Sequence, residues 1–276
     1  YQVREGVDRF FNVAQGNYDN NLLSKQYKFI TSSSLLGALN YKTKKLNLTS
    51  NTFYLKTTEN MIQDQLGYTN SATINSNGFI RLNQLMQTSL LNSQLLANYK
   101  VSDDERKNLK AGISYTKTMF ELPDRKSFKG VKLDDNTTSI SYTGNSLYRQ
   151  YFDVDGKYHL SGLLEYSWKF GNEDITKANK LTVGYNGYMN NMESTFRFLI
   201  SQDLATNAVN LNTNSPDATL SSEIKSGNFT YREGTNSTYK AKLLEFINAG
   251  YADIAFKFGE SYELNLGARV EQTNRE

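Results

Sequence analysis

Along much of this chain, apolar and polar residues alternate one by one. The clearest stretch runs from Ser261 to Glu271. Tyr262, Leu264, Leu266, Ala268 and Val270 fall on one side, and Glu263, Asn265, Gly267, Arg269 and Glu271 on the other. A strand sends successive side chains to opposite faces, so the pattern predicts a strand with one apolar and one wet face. About eight such strands are expected: Ser34 to Lys42, Lys44 to Lys56, Ser89 to Lys100, Asn108 to Phe120, Tyr158 to Phe170, Lys180 to Asn190, Leu243 to Phe258 and Ser261 to Asn274. In the second, Phe53-Tyr54-Leu55 breaks the phase, and a β-bulge is expected there.

The connections sort into two kinds. Tyr41 to Leu46, Lys100 to Asn108, Lys169 to Ala178 and Lys257 to Ser261 are short. Residues 57–87, 121–145 and 200–240 are rich in Asn, Ser, Thr, Asp and Gly and are expected as long loops. Short turns at one end and long loops at the other mark an outer-membrane β-barrel, apolar outside and polar inside. The long loops would then be extracellular. Tyr41, Tyr99, Trp168, Phe170, Phe256, Phe258 and Tyr262 crowd the short turns, as an interfacial aromatic girdle would. With the short turns periplasmic, both ends of the chain fall on the extracellular side. An internal slice of a larger antiparallel transmembrane barrel is therefore expected, spanning residues 1–276 without a plug domain.

Composition narrows the field. Hydrophobic residues make up 38% of the 276, and no run approaches the roughly 20 apolar residues of a transmembrane helix. Aromatics reach 13%, with 19 Tyr and 15 Phe, which suits a barrel that hides its apolar residues in alternation. There is no cysteine, so no disulfide framework and no thiolate metal site. The two prolines, Pro123 and Pro216, both fall in expected loops. A net charge of +3 is too balanced to indicate nucleic acid. A soluble β-sandwich or carbohydrate-binding module is disfavoured by the loop lengths and aromatic bands.

Candidate chemistry is sparse. His159 is the only histidine, which excludes a multi-histidine metal cluster or a histidine-dependent triad within the chain. No metal, cofactor or covalent catalysis is expected. Asp153-Val154-Asp155-Gly156 lacks the remaining ligands of a calcium loop and reads as a tight glycine turn. Arg or Lys facing lipid near the midplane costs about 2–4 kcal/mol. His159, Glu165, Lys169, Glu263, Arg269 and Glu271 are therefore expected to face the lumen. There they line a channel, contact a plug or are simply solvated. The aromatic stretch Tyr148-Arg149-Gln150-Tyr151-Phe152 has two readings. Tyr148, Arg149, Tyr151 and Phe152 contact a ligand or partner, or their rings pack a strand extension above the membrane.

Leu35-Leu36-Gly37-Ala38-Leu39-Asn40-Tyr41, Ser89-Leu90-Leu91-Asn92-Ser93-Gln94-Leu95, Leu122-Pro123-Asp124-Arg125-Lys126 and Leu264-Asn265-Leu266-Gly267-Ala268-Arg269-Val270-Glu271 resemble barrel segments of TonB-dependent outer-membrane receptors of the Bacteroidetes type. That resemblance implies energised uptake of a bulky substrate such as a metal chelate, vitamin, glycan or peptide. It also implies outer-membrane lipid as surroundings, the inner-membrane TonB complex as partner where a plug exists in the full protein, and a surface lipoprotein or other envelope protein as further partners. The alternative is a receptor-derived barrel with a structural or assembly role in an envelope complex.

Overall fold

A computed structural model describes residues 1–14, 16–69, 77–141, 146–203, 208–235, 239–258 and 262–276. These form β1 (Gln2–Asn12), β2 (Asn17–Lys42), β3 (Leu46–Thr69), β4 (Gly78–Lys100), β5 (Lys107–Lys132), β6 (Thr137–Ser141), β7 (Leu147–Phe170), β8 (Asn179–Asp203), β9 (Ala208–Asn212), α1 (Pro216–Lys225), β10 (Phe229–Glu233), β11 (Lys240–Phe258) and β12 (Tyr262–Arg275). The described residues are almost all β, in antiparallel strands, with one short helix. One sheet runs β1-β2-β3-β4-β5-β7-β8-β11-β12, each strand pairing with the next. Among the described residues β1 pairs only with β2 and β12 only with β11, so the sheet does not close on itself.

All eight expected strands are present. β1 is an addition, because Phe10 and Phe11 stand side by side and blur its alternation. The short connections hold at 43–45, 101–106 and 171–178, while 259–261 lie outside the described residues.

The three long loops are corrected. Residues 57–69 continue β3 and 78–87 belong to β4, in one unbroken register from Leu46↔Tyr99 to Gly67↔Gly78. Residues 121–132 continue β5 and 137–141 form β6; within 200–240 lie the end of β8, β9, α1, β10 and the first residue of β11. The parts of those loops at 70–76, 142–145, 204–207 and 236–238 lie outside the described residues. In the described strand extensions alternation fails because both faces carry polar side chains, as in Gln63-Asp64-Gln65, while the backbone ladder persists. At about 3.3 Å per residue, strands of 23 to 26 residues far exceed the roughly 10 that cross a bilayer.

Local irregularities differ from expectation too. The register of β3 is unbroken through Phe53-Tyr54-Leu55, so no bulge lies there. Phe53 and Leu55 simply share the otherwise polar face. Asp153-Val154-Asp155-Gly156 is strand beside a bulge, not a turn, with a register shift between Asp155 and Tyr158. A Cβ on Gly156 would sit 2.2 Å from Thr118 Oγ1, which is why glycine occupies the crossing. Pro123 falls in a second bulge, between Leu122 and Arg125, where no ladder donor is needed.

The sheet curves toward its polar face. A recess of about 640 Å³ on that side is bordered by Gln94 of β4, Ser161 of β7, Tyr188 of β8 and Arg269 of β12, strands from distant parts of the sheet. Beyond the apolar band, β6, β9, α1 and β10 form a cap with its own core. Phe79, Phe128, Ile140, Leu147, Leu211, Leu220 and Phe229 pack together there. Register places the sheet's share of this core on the same side as the apolar band: Phe79 shares the odd-numbered face of β4 with Leu91, Leu95 and Tyr99. Arg81 ties the cap down by pairing bidentately with Asp64 and donating to the carbonyl of Thr213. Lys126 pairs with Asp217 of α1 at 2.9 Å. Pro216 opens α1, where its missing N–H is not needed. The cap therefore buttresses the convex side.

Candidate ligand-contact surface on the concave face

Antiparallel partners project to the same face, so register decides which side chains meet. β8 pairs with β11 in one register from Lys180 to Thr195, and its even-numbered residues lie on the concave face throughout. Phe152 pairs with Phe196 and Tyr148 with Ile200, which puts both on that face. Arg149 pairs with Leu199 and Tyr151 with Arg197, on the opposite side. The expected aromatic loop is thus a strand, and it splits into two sets.

The concave set forms a floor of rings. Tyr148 lies 5.6 Å from Phe198, and Phe152 lies 5.8 Å from Phe120 and 6.4 Å from Phe196. Phe196 and Phe198 are 5.7 Å apart, and Tyr239 meets both edge-on. Gly234 passes so close that a Cβ would lie 2.1 Å from the Phe198 ring. Its N–H donates to the Phe198 carbonyl at 3.0 Å, and the Phe198 N–H donates to Thr235 Oγ1 at 2.8 Å. Burial pushes the Tyr148 phenol up, partly offset by a hydrogen bond with Gln150. The convex set is structural. Arg149 donates to Asp124 at 3.1 Å and lies over the Tyr231 ring, and Arg197 covers the Tyr151 ring.

Beside the rings runs a belt of amides. Gln26 faces Gln63, Gln84 faces Arg125, and Arg125 faces Gln150, next to Phe198. Gln63 donates to Ser24 Oγ at 2.9 Å, and Gln65 to Asp8 at 3.0 Å. Arg125 donates to Gln150 Oε1 at 2.9 Å, while its Nε is buried without a partner among the described residues. A primary amide offers donors and an acceptor at once. Rings and amides together suit a large, mostly neutral ligand with flat faces and polar edges.

Lower on the same face the register gathers the other candidate residues. His159 pairs with Asn190 and stacks on Tyr188 at 4.9 Å; Tyr188 donates to Glu245, which also pairs with Arg275. Glu165 accepts a hydrogen bond from Tyr251 Oη at 2.8 Å, and Tyr251 faces Arg269. Glu263 faces Lys257, Glu271 faces Ala249, and Lys169 faces Lys180. Among the described residues no group of three His, Asp or Glu side chains comes together as a metal site.

Sequence reading missed Phe196, Phe198, Tyr239 and the glutamines. The available signal was period-2 repetition, in Phe196-Arg197-Phe198 just beyond the expected strand Lys180 to Asn190 and in Gln63-Asp64-Gln65 inside the expected loop 57–87.

Among solved structures, the chain is similar to FpvA of P. aeruginosa in complex with a heterologous pyoverdine and iron, at 12% identity and a TM-score of 0.42. The match covers 93% of this chain and 36% of that one, so the chain spans little more than a third of its length. No protein-family model and no curated protein matches.

Proposed function

We propose that this chain forms part of an outer-membrane barrel of the TonB-dependent receptor type, which takes up a bulky substrate with energy supplied through TonB. The observation that carries the reading is the two-face partition, kept in register from β2 to β12. Leu39, Tyr99, Ile113, Leu164, Val183 and Leu266 all lie on one face and are exposed, Leu39 by 78% and Leu164 by 51%. An apolar band that wide marks a membrane or partner surface in a soluble context. Here it meets lipid, and the polar face carrying His159, Glu165, Lys169, Glu263, Arg269 and Glu271 lines the lumen. The aromatic floor and the amide belt stand above it, at the mouth, as first contacts for substrate. The strand Leu264 to Glu271 supports the Bacteroidetes branch. Further strands complete the barrel, since open edges do not persist in hydrocarbon. A structural role in an envelope complex is the second reading. The folded cap on the convex side favours it, because it offers a surface outside the lumen to a lipoprotein or other neighbour.

The chain has no cysteine, so an introduced one is the sole thiol within it once any cysteine elsewhere in the full protein is replaced. In the full protein in outer-membrane vesicles, Leu164→Cys should react with a lipid-partitioned maleimide and resist a charged one. Glu165→Cys should do the reverse. The opposite pattern at both positions would sink the assignment.

A further inference from the structure

The short-turn end of the concave face carries an excess of positive charge. A recess of about 650 Å³ there is lined by Lys42, Lys44, Lys100, Arg106, Lys169 and Lys180. Glu105, the one carboxylate among its described lining residues, pairs with Lys100 and also lies within electrostatic reach of Lys169, so one carboxylate is shared by two of these lysines. Lys45 also borders the recess but pairs with Asp103 at 2.7 Å, and Arg106 leans on Asp104 at 3.4 Å. Lys42, Lys44, Lys169 and Lys180 form no ion pair among the described residues.

A second observation is independent of this count. Lys169 and Lys180 are direct cross-strand partners on the concave face. Like charges directly opposite one another destabilise a sheet. The onward ladder partner of Lys180 is Ala255, which brings no compensation. Two lysines on directly opposed strand positions at the wall of a recess are a cost to the empty protein and an asset once an anion lies between them. Each donates charge-assisted hydrogen bonds to a carboxylate or phosphate oxygen, and the concave wall concentrates the field.

We propose that this rim is an anion-binding site, with Lys169 and Lys180 at its centre, for a ligand bearing two or more carboxylate or phosphate groups. The inference rests on the curvature and register of the sheet and goes beyond the uptake reading. The rim lies at the opposite end of the concave face from the ring and amide surface, roughly 50 Å away along β8, and is a separate site.

The test is thermal unfolding of the full protein in detergent at low ionic strength. It is titrated with citrate, with pyrophosphate, and with sodium chloride at matched ionic strength as the screening control. Citrate, pyrophosphate or both should raise the midpoint by about 2–4 °C beyond the chloride control once well above their dissociation constants. A response to one anion alone identifies the carboxylate or the phosphate class, and a response to both identifies charge as the selecting property. Lys169→Gln with Lys180→Gln should unfold at the same or a higher temperature than the parent without anion, yet lose the anion shift. If that variant does not fold, Lys42→Gln with Lys44→Gln should weaken anion binding at least several-fold. Lys129→Gln, on the distant part of β5, should leave the shift unchanged. Anion shifts no larger than those of chloride, or a full shift retained in the folded central variant, would overturn the proposal.

Discussion

Gly184 lies where the Tyr251 ring crosses β8 to reach Glu165 on β7. A Cβ there would sit 2.3 Å from the ring, so the glycine is the gap that lets the contact form. The same logic applies where Phe198 lies against Gly234. Gly184→Val should therefore displace Tyr251, leave Glu165 without its donor, and cost about 1–3 kcal/mol through overpacking and the lost hydrogen bond. Tyr251→Phe removes the bond alone and should cost less. Adding Tyr251→Ser to Gly184→Val removes the clash and should recover part of the loss. Urea unfolding of the full protein compares the three. If Gly184→Val proves no costlier than Tyr251→Phe, the ring crossing is not what requires glycine. Alternation placed Glu165 on the polar face. Its partner lies 86 residues away and left no local trace.

At the scale of elements, the cap is the part that packs like a soluble domain. Tyr231 sits over its core beside Phe229, with rings 4.9 Å apart. Burial pushes its phenol from 10.0 up to about 12, and nearby Arg149 only partly offsets this. Because the folded pKa is raised, the contribution is fully present below pH 10 and is lost as pH climbs toward 12. The phenolate absorbance of the parent minus that of Tyr231→Phe should show one step near 12. A step near 10 would mean that the ring is not held in the cap. The cap also shows where sequence reading stopped. The strands crossing the apolar band were legible because one face is greasy and the other wet, as in Tyr158 to Phe170. Their extensions were not. At Asp155–Tyr158 and Leu122–Arg125 a bulge shifts the face assignment by one residue. In Thr57 to Gln65 polar side chains occupy both faces. The helix α1 was hidden too, since Leu220 is its one large apolar side chain buried in the core.

For the whole molecule, the two sheet edges carry the sharpest consequence. Among the described residues β12 pairs along Tyr262–Arg275 with β11 alone, and Leu264, Leu266 and Val270 on it are exposed. In an antiparallel strand with one neighbour, about every second backbone N–H and C=O points away from that neighbour. In hydrocarbon each unpaired group costs several kcal/mol, and only a closed barrel removes the edge. The membrane reading therefore requires another strand against β12 and another against the outer side of β1 and β2. Water would tolerate the edge, although a long flat edge with exposed leucines invites association. Hydrogen exchange of the full protein in its membrane separates the two situations. If a further strand pairs with β12, amides along Tyr262–Arg275 should exchange uniformly slowly, as slowly as those of β7 between Leu160 and Phe170, which has neighbours on both sides. Alternating fast and slow amides along β12 would mean an open edge, and with it the lipid-facing assignment of Leu264, Leu266 and Val270 would fall.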